Sequence, residues 1–124
     1  MAAIATEGRF LADAIRWEAA SDYCRDVIVI VAGSGKVPIT ALVGRRTSDG
    51  KYAPHDPDAT DGTQNVAGIL CSDVDATSSD IKGLILLRGP AIVKFSECAQ
   101  VNELDVSQET AAKAALRTLL MKVV

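Results

Sequence analysis

Val27-Ile28-Val29-Ile30-Val31 is an unbroken β-branched run, flanked by Arg25-Asp26 and by Ala32-Gly33-Ser34-Gly35. That pattern predicts a strand buried on both faces. Shorter apolar segments continue the β set: Ile39 to Arg46 behind Pro38, Val66 to Cys71, Gly83 to Leu87 and Ala91 to Phe95, with Arg88-Gly89-Pro90 as a turn or bulge between the last two. Arg9 to Trp17 places apolar residues at Phe10, Leu11, Ala14, Ile15 and Trp17, which fits a short helix or an irregular strand equally. From Ser107 the period becomes helical. Ser107 is read as the N-cap, Glu109 sits in the first turn, and Ala111, Ala114, Ala115, Leu116 and Leu119 form an apolar stripe with Lys113, Arg117 and Lys122 outside it. The prediction is an α+β domain, mainly β, closed by a C-terminal helix.

Between the strands, Thr47 to Leu70 carries a dense series of turn signals. Asp49-Gly50 suits a tight hairpin, and Lys51-Tyr52-Ala53 reads as the returning strand edge. Pro54 and Pro57 each lack an N–H and push the preceding residue toward extended geometry, so His55 to Asp61 is expected to be neither interior strand nor helix. Asp61-Gly62 supplies a second turn before the core resumes at Val66.

At 124 residues the chain suffices for one domain, burying roughly two-thirds of its unfolded surface. Hydrophobic residues make up 48% but aromatics only 4%, so the core must be built from Val, Ile, Leu and Ala. A net charge of −3, with Arg45-Arg46 the only adjacent basic pair, argues against nucleic acid or an anionic membrane as partner. Cys24, Cys71 and Cys98 are odd in number and widely spaced, which suggests buried free thiols in a reducing cytoplasm rather than a disulfide framework or zinc ribbon. Met1 to Thr6 has no secretory pattern, and the apolar runs are too short to span a bilayer. Met1 to Glu7 reads as a flexible arm ended by Gly8.

Candidate chemistry thins out under spacing arguments. Gly33-Ser34-Gly35-Lys36 follows a strand, but a phosphate loop needs four residues between its glycines and Ser or Thr after the lysine, where Val37 stands. Asp56, Asp58 and Asp61-Gly62 resemble part of a calcium loop. Counting from Asp56, however, the sixth position is Asp61 and the twelfth Ala67, where glycine and a bidentate glutamate are required. Asp73, Asp75 and Asp80 read as turn and capping residues. His55 is the sole histidine, lies between two prolines, and has no nucleophile motif beside it, so it reads as a surface or interface residue. No dinucleotide fingerprint opens a helix. The expectation is that the protein is not an enzyme and carries no cofactor.

Several segments in order resemble the head decoration proteins of tailed bacteriophages, the family of the lambda capsid-stabilising protein. They are Tyr23 to Val29, Gly50-Lys51-Tyr52-Ala53-Pro54, Asp58-Ala59-Thr60-Asp61-Gly62, Ala67-Gly68-Ile69-Leu70, Asp73 to Thr77 and Leu87-Arg88-Gly89-Pro90-Ala91. The resemblance implies a β-clip or partial-barrel-like domain over residues 9–124 behind a flexible arm over residues 1–8. It further implies a homotrimer on the outer surface of the expanded head, at threefold and quasi-threefold sites, whose partner is the major capsid protein. It places the protein in the virion after synthesis in the host cytoplasm, with no nucleic-acid or membrane partner. Ala3, Ile4, Ala5, Thr6 and Arg9 become candidate capsid contacts, in which the arm adds a strand to a coat-protein sheet. Phe10 and Trp17 are either packed beneath the first core strand or anchors at a subunit interface. A second reading is a cytoplasmic small-molecule or metal-binding β domain that uses the loop from Asp56 to Asp61.

Overall fold

In the computed structural model, which describes residues 14–99 and 104–124, strand β1 (Ile15–Glu18) leads through a one-turn helix α1 (Ser21–Cys24) into β2 (Arg25–Ile30). There follow β3 (Gly35–Val37), β4 (Leu42–Arg45), β5 (Tyr52–Pro54), β6 (Gly68–Leu70), β7 (Val74–Ala76), β8 (Ile81–Leu86) and β9 (Ala91–Val93). A 3-10 turn (Phe95–Glu97), helix α2 (Val106–Thr118) and β10 (Met121–Val123) complete the described chain. The arm and Phe10 lie outside the described residues.

Five of these strands close into a barrel in the order β2-β5-β4-β6-β8. Most of its seams are antiparallel; β5 meets β2 in parallel through the single pair Ile30 and Tyr52. β1, β9 and β10 form a separate three-stranded sheet, and β3 pairs with β7 in a two-stranded ribbon. The two-residue alternation of β4, β6 and β8 sends neighbouring side chains into different cores. Val43, Leu70 and Ile85 join Ile30, Tyr52 and Ala41 in one cluster. Leu42, Ile69 and Leu86 point the other way, into a second cluster with Ile15, Val93, Phe95, Leu116 and Met121. These three strands are the wall between the two cores.

The β-branched run behaves differently from its expectation. β2 buries Ile30 completely, but Val27 is 64% exposed. β2 is an antiparallel partner of β8 with one face open to solvent, and β-branched residues report a fit to a pleated strand rather than burial. The strand buried on all sides is instead β6, where Gly68, Ile69 and Leu70 are all buried. Strand β4 starts only at Leu42 because Thr40, fully buried, turns the chain with φ of 74°.

Helix α2 begins two residues earlier than Ser107 suggested. Asp105 is the N-cap: its carboxylate accepts from the Gln108 N–H at 2.8 Å, and the Gln108 side chain accepts from the Asp105 N–H at 3.0 Å. This reciprocal capping box satisfies two N–H groups that Ser107 could not reach. The buried stripe accordingly centres on Ala112 and Leu116, flanked by Ala115 and Leu119, while Ala111 and Ala114 face solvent. The chain does not end with the helix. After Leu120, β10 runs parallel to β9, pairing Met121 with Ala91 and Val123 with Val93.

Candidate functional site

The turn-rich segment is held together by its own short side chains. Asp49 Oδ1 accepts from the Lys51 N–H at 3.1 Å and Asp56 Oδ1 from the Asp58 N–H at 3.0 Å. Asp61 Oδ1 accepts from both the N–H and the hydroxyl of Thr63. Asp75 repeats that motif on Thr77. His55, half-buried, donates through Nδ1–H to the Thr63 carbonyl at 2.8 Å, and its backbone N–H donates to Leu42, so the ring ties the loop to the barrel. Asp73 accepts from the Ile39 N–H, and Asp80 accepts from Ala32 and pairs with Lys51 at 2.6 Å. These aspartates are turn formers and clasps. Among the described residues no group of three or more His, Cys, Asp or Glu converges in a way that could hold a metal.

Those contacts set an acid response. Asp61 and Asp75 are held below the ordinary carboxylate range chiefly by their threonine hydroxyls, and Asp80 chiefly by Lys51. A carboxylate whose folded pKa is depressed adds stability above its unfolded pKa of about 4, and that contribution fades as pH falls through the lower folded value. Melting temperature is therefore expected to drop once the pH passes below about 4, and Asp61→Asn should flatten that acid limb. A pH series of thermal melts reads the difference; identical acid limbs would contradict it.

The glycine-rich connector and the cysteines take structural places. Gly33 and Gly35 occupy left-handed conformations at the entry to β3, and no helix starts there that could present N–H groups to a phosphate. All three cysteines are free and buried. Burial pushes the Cys71 thiol up to about 11, which keeps it protonated at neutral pH.

Of Arg9 to Trp17, the described residues are Ala14, which is helical and buried, and Ile15 to Trp17, which lie in β1. β1 pairs Ile15 with Val93 and Trp17 with Ile92, with a bulge at Arg16 between them. The bulge leaves Arg16 and Trp17 both exposed, and Trp17 is 52% accessible on the outer face of the sheet rather than beneath β2. Ile92 and Lys122 stand beside Trp17 on that face, since the register aligns all three. Leu120, 69% exposed, and Pro90, also exposed, lie just before the paired Met121 and Ala91. Sequence reasoning found Trp17 but missed Ile92 and Leu120. Their signal was the β9–β10 pairing, which is non-local and too short to show a period.

Around this face the backbone is firmly tied. Arg25 grips both carboxylate oxygens of Glu18 at the end of β1, and the Gly89 N–H donates to the Leu119 carbonyl at 2.7 Å. Arg88 lies over the Tyr23 ring at 5.3 Å and pairs with Asp26 at 2.8 Å. The face is thus a fixed, mixed surface, apolar in the middle with cations beside it. Of the candidate capsid contacts, Ala3, Ile4, Ala5, Thr6 and Arg9 lie outside the described residues, as does Phe10.

No curated protein matches this chain. The family model described as Bacteriophage lambda head decoration protein D matches residues 4–120, which covers the barrel, strands β1 and β9 of the three-stranded sheet and helix α2, and stops just before β10. The chain belongs to the bacteriophage lambda head decoration protein D family.

Proposed function

We propose that the protein is a capsid cement: a trimer on the outer surface of the expanded phage head, at threefold and quasi-threefold sites, that holds neighbouring coat subunits against the pressure of packaged DNA. The family match along residues 4–120 carries this reading. Two cores sharing one wall of strands supply the rigid body that such a role needs. A cyclic trimer presents three copies of each weak coat contact at once, so modest affinities multiply into avidity. The work is mechanical and calls for no catalysis and no cofactor.

In this reading residues 1–8 are a separate arm and residues 9–124 the decoration domain. Ala3, Ile4, Ala5 and Thr6 add an extended strand to a coat-protein sheet, with Arg9 at the root of the arm. Deleting Met1 to Gly8 is expected to leave the melting temperature within about 2 °C of the full chain, because the buried core of the described residues, from Ala14 onward, is left whole. The same deletion is expected to weaken co-sedimentation with expanded, DNA-free heads by about tenfold or more. Undiminished binding by the shortened protein would defeat the arm assignment. Light scattering tests the trimer by its mass. The geometry of the loop from Asp56 to Asp61, whose carboxylates serve local N–H and hydroxyl groups, gives no support to a metal-binding reading.

A further inference from the structure

We propose that the open face of the β1–β9–β10 sheet, centred on Trp17, Ile92 and Leu120, is a second contact with the coat protein, docking into an apolar depression bordered by carboxylates. The inference rests on the head-decoration reading and adds to it a surface on the folded domain, distinct from the arm.

The first ground is composition. Trp17, Leu120 and Val124 are exposed large apolar side chains on or at the border of this sheet, with Ile92 between β1 and β10 and Pro90 beside them. Arg16 and Lys122 are exposed next to them. An exposed apolar cluster with a polar border marks an interaction surface, and a half-exposed tryptophan on a fixed strand is a typical anchor. The other exposed large apolar residues are Val27 and Ile81 on the paired strands β2 and β8, Val106 at the far end of α2, and Tyr23, which already lies under Arg88.

The second ground is connectivity. Arg9 precedes Trp17 by only eight residues in the chain. Fully extended, that segment spans at most about 26–29 Å, so the arm and the face fall within reach of one coat subunit or of two neighbours. β1 is an edge strand of its sheet, and Ala14, where the described chain begins, immediately precedes it.

The third ground is the polarity of the molecule. Helix α2 has 13 residues, about 20 Å of length. Its N-terminal end borders a cleft lined by His55, Asp56, Asp58, Leu104 and Gln108. Its C-terminal end, with Arg117 in the last turn, delivers the chain to Leu120 and β10. Acidic loop and apolar face therefore sit at opposite ends of one helix. An acidic, well-solvated end suits the outside of a particle, whereas an apolar end with Arg16, Arg117 and Lys122 suits a surface bearing carboxylates.

The test is binding of the full chain to expanded, DNA-free heads assembled from the cognate coat protein. Trp17→Ser combined with Leu120→Asn removes the apolar centre while respecting the fold. Trp17 lies on an edge strand, and asparagine tolerates the φ of 67° at position 120. The double variant is expected to bind about tenfold more weakly or worse, with unchanged solution mass and melting temperature, while Trp17→Phe retains binding. Residual binding by a chain lacking residues 1–8 should vanish when the double substitution is added. Asp58→Lys, at the other end of α2, should bind as the unmodified protein does. If the unmodified protein binds heads and the double variant stays within about twofold of it, the coat-facing assignment is overturned. A change in solution mass would overturn it too, by giving the face to a second copy of the chain. Failure of the unmodified protein to bind heads would instead remove the head-decoration reading beneath it.

Discussion

Replacing Phe95 by alanine is expected to lower the unfolding free energy by about 3–5 kcal/mol, the range for truncating a fully buried aromatic side chain. Phe95 is 1% exposed and heads the fully buried side chains by volume. It lies in the cluster that joins the outer wall of the barrel to the three-stranded sheet and to α2, so its ring touches the junction of all three. Its backbone N–H donates to the Val124 carbonyl, and the Lys113 ammonium sits 5.4 Å from the ring centre. The space cannot close easily, because the walls around it are fixed by β9 and β10 on one side and by Leu116 on the other. Domains of this size have only about 5–15 kcal/mol to lose. A fall in melting temperature of roughly 10–20 °C should follow. Urea denaturation of the variant beside Phe95→Leu checks the claim: leucine should recover much of the loss, and a change under about 1 kcal/mol for alanine would refute it.

Gly62→Ala should cost nearly as much, for an unrelated reason. Gly62 has φ of 109°, and a Cβ placed there would lie 2.3 Å from the Arg45 carbonyl oxygen and 3.0 Å from the Thr47 nitrogen. Both are backbone atoms at the end of β4, and Thr47 N–H is already engaged by the Asp61 carbonyl at 2.8 Å. Neither can move without loosening the turn that joins the acidic loop to the barrel. Backbone strain and collision together should remove about 2–4 kcal/mol. Gly33→Ala is the informative control. Gly33 has a comparable φ of 93°, but no atom lies within 4 Å of the added carbon. Its penalty is strain alone, about 1–2 kcal/mol. The difference between the two variants in a chemical melt measures the collision by itself, and equal losses would show that crowding at Gly62 is relieved.

Local chemistry was legible in the sequence wherever it acted alone. Pro54, Pro57 and the Asp-Gly pairs mark a segment that is neither helix nor interior strand, and the structure holds it by the Asx-type contacts that such residues make. The ordered series of short motifs led to the family because those turns occur in a fixed succession. What escaped notice was non-local. Val27 could not reveal that its face of β2 has no layer above it, and Met121 to Val123 is too short to announce a strand whose partner lies some 30 residues earlier. Asp105 and Gln108 did carry a capping signal at the right spacing, and Ser107 drew attention away from it. The open face around Trp17 was hidden by the bulge at Arg16, which interrupts the alternation that would have revealed it.

The shared wall of β4, β6 and β8 gives the molecule a property that neither core would have separately. Each residue pair along it, Leu42 with Val43, Ile69 with Leu70 and Ile85 with Leu86, has one member in each cluster. Neither half can soften first and leave the other standing, since to loosen one is to strip a side of its neighbour. A pull entering at β1 passes by hydrogen bonds to β9 and from there reaches this wall through the packed side chains of Ile15, Val93 and Phe95. The two cores of the described residues should therefore yield together rather than one after the other. In the proposed role of a clamp over a pressurised shell, brittleness of that kind would mean that small loads produce no creep.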